Sequence, residues 1–483
     1  MESIWTKTCS IPRREQLQKD MKTEVAVIGA GMAGILIAWQ LQKAGKQVII
    51  LEADRIASGQ TKNTTAKITS QHDLIYANLI SSQEEEKARQ YAMANETAIE
   101  EYRRIIQEEQ IHCNFEETQA YVYSTDKEKL MEEAKAAASL GISASFVSHA
   151  TLPFQRTCAL RFDGQAQFHP LKFIKHLAEQ LEIYEKTPVR TVDEHILHTP
   201  KATVTAEHIV FATHYPFVNF PGLYFARMHQ ERSYVLALEN APMEQGMFIG
   251  DGETSYSFRT YDKYLLFGGE GHRTGDNRQG GKYNALRQKA KELFPQSLEA
   301  AHWSAQDCIP ADGIPYIGQY ASGKPYWYVS TGFQKWGMTT SMVSAMLIRD
   351  MICGKENPYA AVFDPRRFSA EAASGIACEG RQAVKTFAKR LFQLPEATAK
   401  ELPLGHGGIV DLDGDKIGVY KEEDGTLHLV EIRCPHLGCQ LEWNPDEKSW
   451  DCPCHGSRFD FRGKCITNPA QEDITIEKER PLP

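Results

Sequence analysis

The sequence predicts an α/β dinucleotide-binding domain that shares its part of the chain with an antiparallel sheet, followed by a small all-β C-terminal domain. Three observations carry that prediction. Between Glu24 and Glu52 a strand, a glycine-rich turn, a helix and a second strand ending in an acid follow one another. Between Arg232 and Phe267 lie three short runs rich in β-branched and aromatic residues. Beyond Glu401, further β-type runs separated by Asp-Gly turns enclose two loops that offer Cys and His. At 483 residues the chain exceeds a single hydrophobic core, so two or three domains are expected.

The first unit is a dinucleotide-binding fingerprint in its proper context. Glu24-Val-Ala-Val-Ile28 reads as a buried strand running into Gly29-Ala-Gly31-Met-Ala-Gly34, and an apolar helix follows from Ile35 to Leu41. Lys46-Gln-Val-Ile-Ile-Leu51 is the second strand, and Glu52 is the acid that accepts hydrogen bonds from a ribose. Gly29 permits the tight turn, Gly31 lets backbone approach a pyrophosphate, and Gly34 allows close helix packing. The helix N-terminus stabilises the phosphate charge. This pattern alone leaves FAD and NAD both open.

The residues after Glu52 are small, polar and hydroxyl-rich: Ser58-Gly-Gln-Thr61-Lys-Asn-Thr64-Thr65-Ala66-Lys67. Here the chain resembles the FAD-dependent D-amino-acid and glycine oxidase superfamily. Later segments follow that family's order: Gly164 to His169-Pro170 before a helix, Pro188-Val189 on a strand, and Ile209-Val-Phe-Ala212-Thr213 as a second FAD strand. Then come Trp303 to Asp312-Gly313-Ile-Pro315-Tyr-Ile-Gly318, and Thr331-Gly332-Phe333 to Gly337-Met338-Thr339 opening a helix. The resemblance covers roughly residues 20 to 365 and implies FAD as the cofactor. It implies FAD contacts at Thr61, Thr65, Ala66, Val189, Thr213, Gly332, Gly337, Met338 and Thr339, besides the fingerprint residues. It also implies an α/β fold in which an FAD-binding Rossmann-like domain (about 20–75, 150–215 and 300–365) carries an inserted antiparallel-sheet α+β substrate domain (about 76–149 and 216–299). Lys62 and His214 depart from the family, which often has Gly at both places. Cys308 lies near where some sarcosine-oxidising relatives tether their flavin; the other reading is an ordinary packed thiol.

The substrate layer is expected as a sheet of Arg232-Ser-Tyr234-Val-Leu-Ala, Ser255-Tyr256-Ser-Phe-Arg259 and Tyr264-Leu-Leu-Phe267, ending in Gly268-Gly269-Glu-Gly-His272. Arg232, Tyr256, Arg259, His272 and Trp336 are the candidates for substrate contact or catalysis. Each also has a plain alternative, an arginine in an ion-paired face or a tryptophan that only packs. Lys67 either stabilises a reduced, anionic flavin or pairs with a carboxylate.

Near the C-terminus the chain reads Cys434-Pro-His436-Leu-Gly-Cys439, twelve residues, then Cys452-Pro-Cys454-His455-Gly-Ser457. This is the ligand pattern of a Rieske [2Fe-2S] centre, with Cys434 and Cys452 on one iron and His436 and His455 on the other. A structural zinc site also satisfies two Cys and two His. The resemblance to Rieske domains of respiratory bc-type complexes extends to Gly456, Ser457, Phe459, Gly463 and Asn468-Pro469-Ala470. It implies that Cys439 and Cys454 bridge the loops as a disulfide. The Rieske domain is expected over residues 401–483, behind a helical connector at 366–400 whose apolar residues Val384, Phe387, Leu391 and Phe392 keep a helical period until Pro395. The overall layout resembles a group of bacterial proteins in which a glycine-oxidase-like flavin domain carries such a C-terminal domain.

Net charge is −9, which argues against a nucleic-acid surface. No apolar run approaches the length of a membrane span, and Arg13-Arg14 is followed by no hydrophobic region before the first strand, so a cytoplasmic location is expected. The two cofactors together imply an oxidoreductase: an amine or N-substituted amino acid is oxidised at FAD, and electrons pass singly through the cluster to a carrier such as a ferredoxin or quinone-linked acceptor, meeting it near exposed His436 or His455. Two other readings stand beside it, a reductase running from cluster to FAD to substrate and a redox-sensing module. Rieske oxygenase chemistry is disfavoured, because no two-His, one-carboxylate motif for a mononuclear iron is found.

Phe459 stands where high-potential Rieske proteins carry Tyr, two residues after Ser457, so one hydrogen-bond donor to the cluster is missing. Redox titration of Phe459→Tyr is expected to show a higher cluster potential than wild type; an unchanged potential would refute this reading.

Overall fold

The computed structural model describes residues 2–148, 152–153, 158–242, 245–252, 255–367, 380–381, 402–412 and 415–476. The connector expected at 366–400 lies almost wholly outside these residues.

The dinucleotide part is an eight-stranded sheet. Its central strand Met21–Ile28 pairs in parallel with Val48–Leu51 on one side and Thr203–Phe211 on the other. Glu182–Tyr184 extends it at one edge, and Trp327–Thr331 then Tyr316–Gln319 at the other. Val25, Ala26 and Val27 are fully buried, as a strand covered on both faces requires. The helices Met32–Lys43 and Gly337–Ile352 pack together and are buried nearly all round. Ile28 ends where strand order reverses, which opens a crevice at the carboxyl ends of the strands.

The second sheet has nine strands and runs Leu298–Pro310, Met228–Glu239, Tyr264–Arg273, Ser257–Tyr261, Met247–Gly250, Glu116–Ser124, Cys158–Gln167, Lys67–Ile68, with Ala144–Val147 beside Cys158–Gln167. It takes more than the inserted spans: Cys158–Gln167, Leu298–Pro310 and Lys67–Ile68 come from stretches assigned above to the dinucleotide part. They pair across the cleft instead, so strands from several parts of the chain wall it in. Pro188 and Val189 are not on a strand either; they lie in the extended loop between Glu182–Tyr184 and Thr191–Asp193.

The C-terminal domain is all-β among its described residues. Gly407–Leu412, Asp415–Lys421 and Leu427–Glu431 form one antiparallel sheet, and Glu442–Asn444, Ser449–Asp451, Arg458–Asp460 and Cys465–Thr467 a four-stranded meander. This domain is docked on the flavin part through a buried charge network. Glu447 Oε1 lies 3.1 Å from Arg232 Nε, and Oε2 lies 2.6 Å from Arg458 Nη2 and accepts from Ser304 Oγ at 3.0 Å. Arg232 and Glu447 side chains are 2% and 3% exposed, so neither charge has water as an alternative partner. The two guanidiniums hold the Glu447 carboxyl well below the usual range against the effect of burial.

Beside this network Asp446 accepts from the backbone N–H of Gly281 (3.1 Å) and Lys282 (2.9 Å). It thereby caps, from the other domain, the helix Lys282–Leu293, whose own N-cap Gly281 has no side chain to do so. Close approach is permitted by glycine: a Cβ on Gly456 (φ +78°) would sit 2.6 Å from Gln230 Cβ, and one on Gly275 (φ +87°) 2.7 Å from Pro453 Cα.

Glu447→Ala leaves Arg232 uncompensated and Arg458 half-paired, and is expected to destabilise the holoprotein by about 3–5 kcal/mol in denaturant unfolding. A change within about 0.5 kcal/mol, the range of ordinary surface substitutions, would contradict the buried network.

Candidate functional site

A cavity of about 1350 Å³ runs from the glycine-rich turn to the nine-stranded sheet. The turn is shaped for a diphosphate. Gly29 has φ +105°, and a Cβ there would sit 2.5 Å from the Ala212 carbonyl oxygen; a Cβ on Gly34 would strike the Gly29 carbonyl at 1.9 Å. Glu52 lines the cavity and accepts from Ala30 N (2.7 Å) and Asp54 N (2.8 Å), with burial raising its carboxyl. Thr61 accepts from Met32 N at 2.9 Å, so its hydroxyl caps the first helical turn. Gly29, Gly31, Thr65, Val189, Thr213, Gly337 and Met338 line the same space.

Four residues expected at FAD are placed behind this surface. Gly34 packs the helix on the turn. Ala66 (φ +56°) turns its carbonyl to Arg259, and Gly332 (φ +76°) has room for no Cβ, since one would lie 2.7 Å from Pro310 Cγ. Thr339 Oγ1 accepts from Thr69 N (2.8 Å) and donates to Thr69 O (2.9 Å), tying the helix Gly337–Ile352 to the strand Lys67–Ile68.

The catalytic candidates separate just as clearly. Arg259 is buried away from the cavity: it donates to Gln167 Oε1 (2.8 Å), Ala66 O (2.8 Å), Thr65 O and Phe168 O (3.0 Å), with its guanidinium 5.3 Å from the Trp5 ring centre. It holds the 65–66 backbone and is no substrate ligand. Arg232 is likewise consumed by Glu447. His272 lines the cavity, but Tyr234 Oη (3.0 Å) and Arg273 O (2.7 Å) engage its two ring nitrogens. Trp336 lines it while stacking on His72 at 4.9 Å, and Tyr256 lines it against Phe267. Cys308 is buried with its thiol on the His214 carbonyl.

Lys67 remains, and the cavity adds charged residues that the motifs do not announce. Burial, then the nearby Arg259, bring the Lys67 ammonium down to about 7, opposed by Asp73. Asp307, one residue before Cys308, is pushed up to about 7 by the cleft walls against the pull of Lys335. Asp73, Glu231 and Lys335 line the same space. Perturbed acid and base groups gathered in one cleft make it the candidate reactive site. Asp307 and Lys335 adjoin Cys308 and Trp336, but nothing in their own spacing points to chemistry.

The Cys/His loops form a second centre. His436 Nδ1 and His455 Nδ1 converge to 3.2 Å, and burial brings His436 down to about 4, so it is the neutral imidazole that a metal needs. The Cys434 and Cys452 thiols are buried and hydrogen-bonded to each other, a contact that lowers Cys452 and, with burial, raises Cys434 well above the usual thiol range. Backbone N–H groups of His455 and Cys454 further favour the Cys452 thiolate, while the backbone N–H of His436 and the Ser457 hydroxyl oppose the rise at Cys434. Cys439 and Cys454 form a disulfide. Two thiolates and two Nδ1 atoms ringed by N–H donors fit a [2Fe-2S] cluster.

Docking buries His455 and half-buries His436. His455 is 6% accessible, His436 Nε2 donates to Asn219 Oδ1 of the flavin domain, and the Phe225 ring stands edge-on to both at 6.3 and 5.9 Å. The expectation that His455 is exposed is corrected, since docking covers it, while His436 keeps partial exposure. Gln230 Nε2 donates to His455 O at 2.6 Å and Gln306 Nε2 to Gly456 O at 2.7 Å. Residues of the C-terminal domain from Asp460 to Asp473 also wall the outer end of the cavity.

The chain matches the FAD dependent oxidoreductase (DAO) family over residues 24–351 and the Rieske [2Fe-2S] domain over residues 393–477. The Rieske 2Fe-2S iron-sulfur protein YhfW of Bacillus subtilis is 35% identical over 97% of this chain and 96% of its own length. The cytochrome b6-f complex iron-sulfur subunit 2 of Trichormus variabilis is 40% identical over 14% of this chain and 39% of that protein. Among solved structures, glycine oxidase from Geobacillus kaustophilus matches with a TM-score of 0.60 at 18% identity, covering 72% of this chain and 99% of that one. L-proline dehydrogenase from P. horikoshii gives 0.60 at 17%, covering 72% and 98%. The second metal-site reading, zinc, gives way to the iron-sulfur cluster, and no helix among the described residues is long and apolar enough to cross a membrane. A glycine-rich cleft closed by a nine-stranded sheet, facing a Cys2His2 loop pair, is thus the frame of a DAO-family FAD-dependent oxidoreductase that carries a C-terminal Rieske [2Fe-2S] domain, and the chain belongs to that family.

Proposed function

We propose that the chain is a dehydrogenase of amines or N-substituted amino acids that passes electrons singly through the cluster to an external acceptor. The observation that carries this reading is the place of Gln306, which lines the dinucleotide cleft and also donates to the backbone next to the cluster ligand His455. One side chain bridges the two cofactor sites. When bound, FAD accepts a hydride from a C–H bond beside nitrogen, whereas the cluster carries one electron at a time.

The cleft residues suit an amino-acid-like substrate. Lys335 offers a cation for a carboxylate, and Glu231 and Asp73 offer anions for an amine. Asp307, ionised above about pH 7, takes the proton of a substrate ammonium so that the nitrogen lone pair is free. Lys67 keeps its charge below about pH 7 and there stabilises negative charge in the site. Water then hydrolyses the imine product to a carbonyl compound. The names of the matching structures, glycine oxidase and L-proline dehydrogenase, accord with such a substrate. The acceptor is a one-electron carrier, a ferredoxin or a quinone-linked protein.

Anaerobic mixing of the holoprotein with pools of N-methyl amino acids, D-amino acids and polyamines is expected to bleach the flavin with one pool and then to raise the EPR signal of the reduced cluster, with little peroxide once air is admitted. Flavin that stays oxidised with every pool yet fills from reduced ferredoxin through the cluster would make the protein a reductase instead. The rate of flavin reduction should be bell-shaped around pH 7: Asp307→Asn should remove the acidic limb and lower the rate about 100-fold or more, and Lys67→Met should remove the basic limb. A profile flat from pH 6 to 8 would contradict these roles.

A further inference from the structure

Asn219 belongs to the flavin domain, yet its side chain reaches a ligand of the cluster. It begins a tight turn, closed by Leu223 N donating to its carbonyl at 2.9 Å, that leads to Phe225. Its Oδ1 lies 2.7 Å from His436 Nε2, while Nδ1 of the same ring converges on Nδ1 of His455. The two contacts together assign the proton. Were the amide turned so that its NH2 donated to Nε2, the ring proton would sit on Nδ1, the nitrogen that faces the metal. The amide oxygen therefore holds Nε2–H and keeps the Nδ1 lone pair free.

We infer that Asn219 is a positioning residue for the [2Fe-2S] cluster, supplied by the flavin domain, and that it lowers the cluster's reduction potential while the two domains are docked. An acceptor on the far N–H of a ligating imidazole makes the ring a stronger donor to its metal. Stronger donation stabilises the oxidised cluster, which carries the greater positive charge. The contact is part-buried, with Phe225 edge-on to both rings, so water competes with it less than at an open surface. Near the cluster the C-terminal domain leaves Pro435 and Leu437 exposed, Leu437 at 44%, while His436 is half-buried. The inference depends on the cofactor assignment and on neither direction of electron flow nor substrate, so it can fail while the dehydrogenase reading stands.

The test is a dye-mediated redox titration of the holoprotein, following the EPR signal of the reduced cluster, with FAD content and the visible flavin spectrum as controls. Asn219→Ala removes the acceptor and should raise the midpoint potential. Asn219→Asp replaces the amide oxygen by a charged, stronger acceptor and should lower it, with altered g-values and unchanged FAD content in both. Opposite shifts in the two variants separate ligand tuning from loosening of the turn. Unchanged potentials in both variants, or shifts of the same sign, would overturn the inference.

Discussion

A buried carboxylate that must find its partners in another domain governs this molecule. Glu447 lies between Arg232 of the flavin domain and Arg458 of its own, and burial gives none of the three charges recourse to water. Such a group tolerates little sliding, because displacement strands a charge at several kcal/mol. The docking register follows. With Glu447 fixed, Gly456 lies against Gln230, Pro453 against Gly275, and Asp446 at the start of the helix Lys282–Leu293. The same register brings His436 to Asn219 and the backbone around His455 to Gln230 and Gln306. The two cofactor sites are then held together by fixed architecture.

A comparable arrangement organises the cleft from the opposite end. The N-terminal helix Ile4–Thr8 buries Trp5, whose indole donates to Thr64 O at 2.7 Å, while Arg259 beneath it binds the carbonyls of Thr65, Ala66 and Phe168. A backbone stretch with a left-handed Ala66 is costly for a residue with a Cβ and persists only where its surroundings over-determine it. Trp5 and Arg259 do so, and the outcome is the placement of Lys67 in the cavity. In both halves buried arginines act on backbone and acid, and they position neighbours that line the cofactor sites.

Much of this was legible in the chain, for reasons that can be given residue by residue. The fingerprint from Glu24 to Glu52 and the ligands Cys434, His436, Cys452 and His455 are local patterns: short spacing determines their geometry, and folding adds little. Arg232 and Arg259 misled because a buried arginine reads the same as a solvated one until its partner is known, and Glu447 is more than two hundred residues from Arg232 in sequence. Asn219 and Gln230 are neutral amides outside any motif, and Gln306 is an amide inside the Trp303–Gly318 segment that nothing in the segment's pattern singles out; their roles exist only after docking. Asp307 and Lys335 sit beside motif residues but acquire meaning from a cavity built by strands distant in sequence. The sheet boundaries erred for a related cause: Cys158–Gln167 and Leu298–Pro310 alternate like any strand, and the sequence does not say which of two sheets receives them.

The C-terminal domain rests on the flavin domain in this register in solution. Hydrogen exchange of the intact holoprotein reads it at the amides of Gly281 and Lys282, whose acceptor is Asp446 of the other domain. Slow exchange is expected there, comparable with the body of the helix Lys282–Leu293. Exchange at the rate of an uncapped helix end would contradict the docked arrangement, and with it the coupling of the two cofactors.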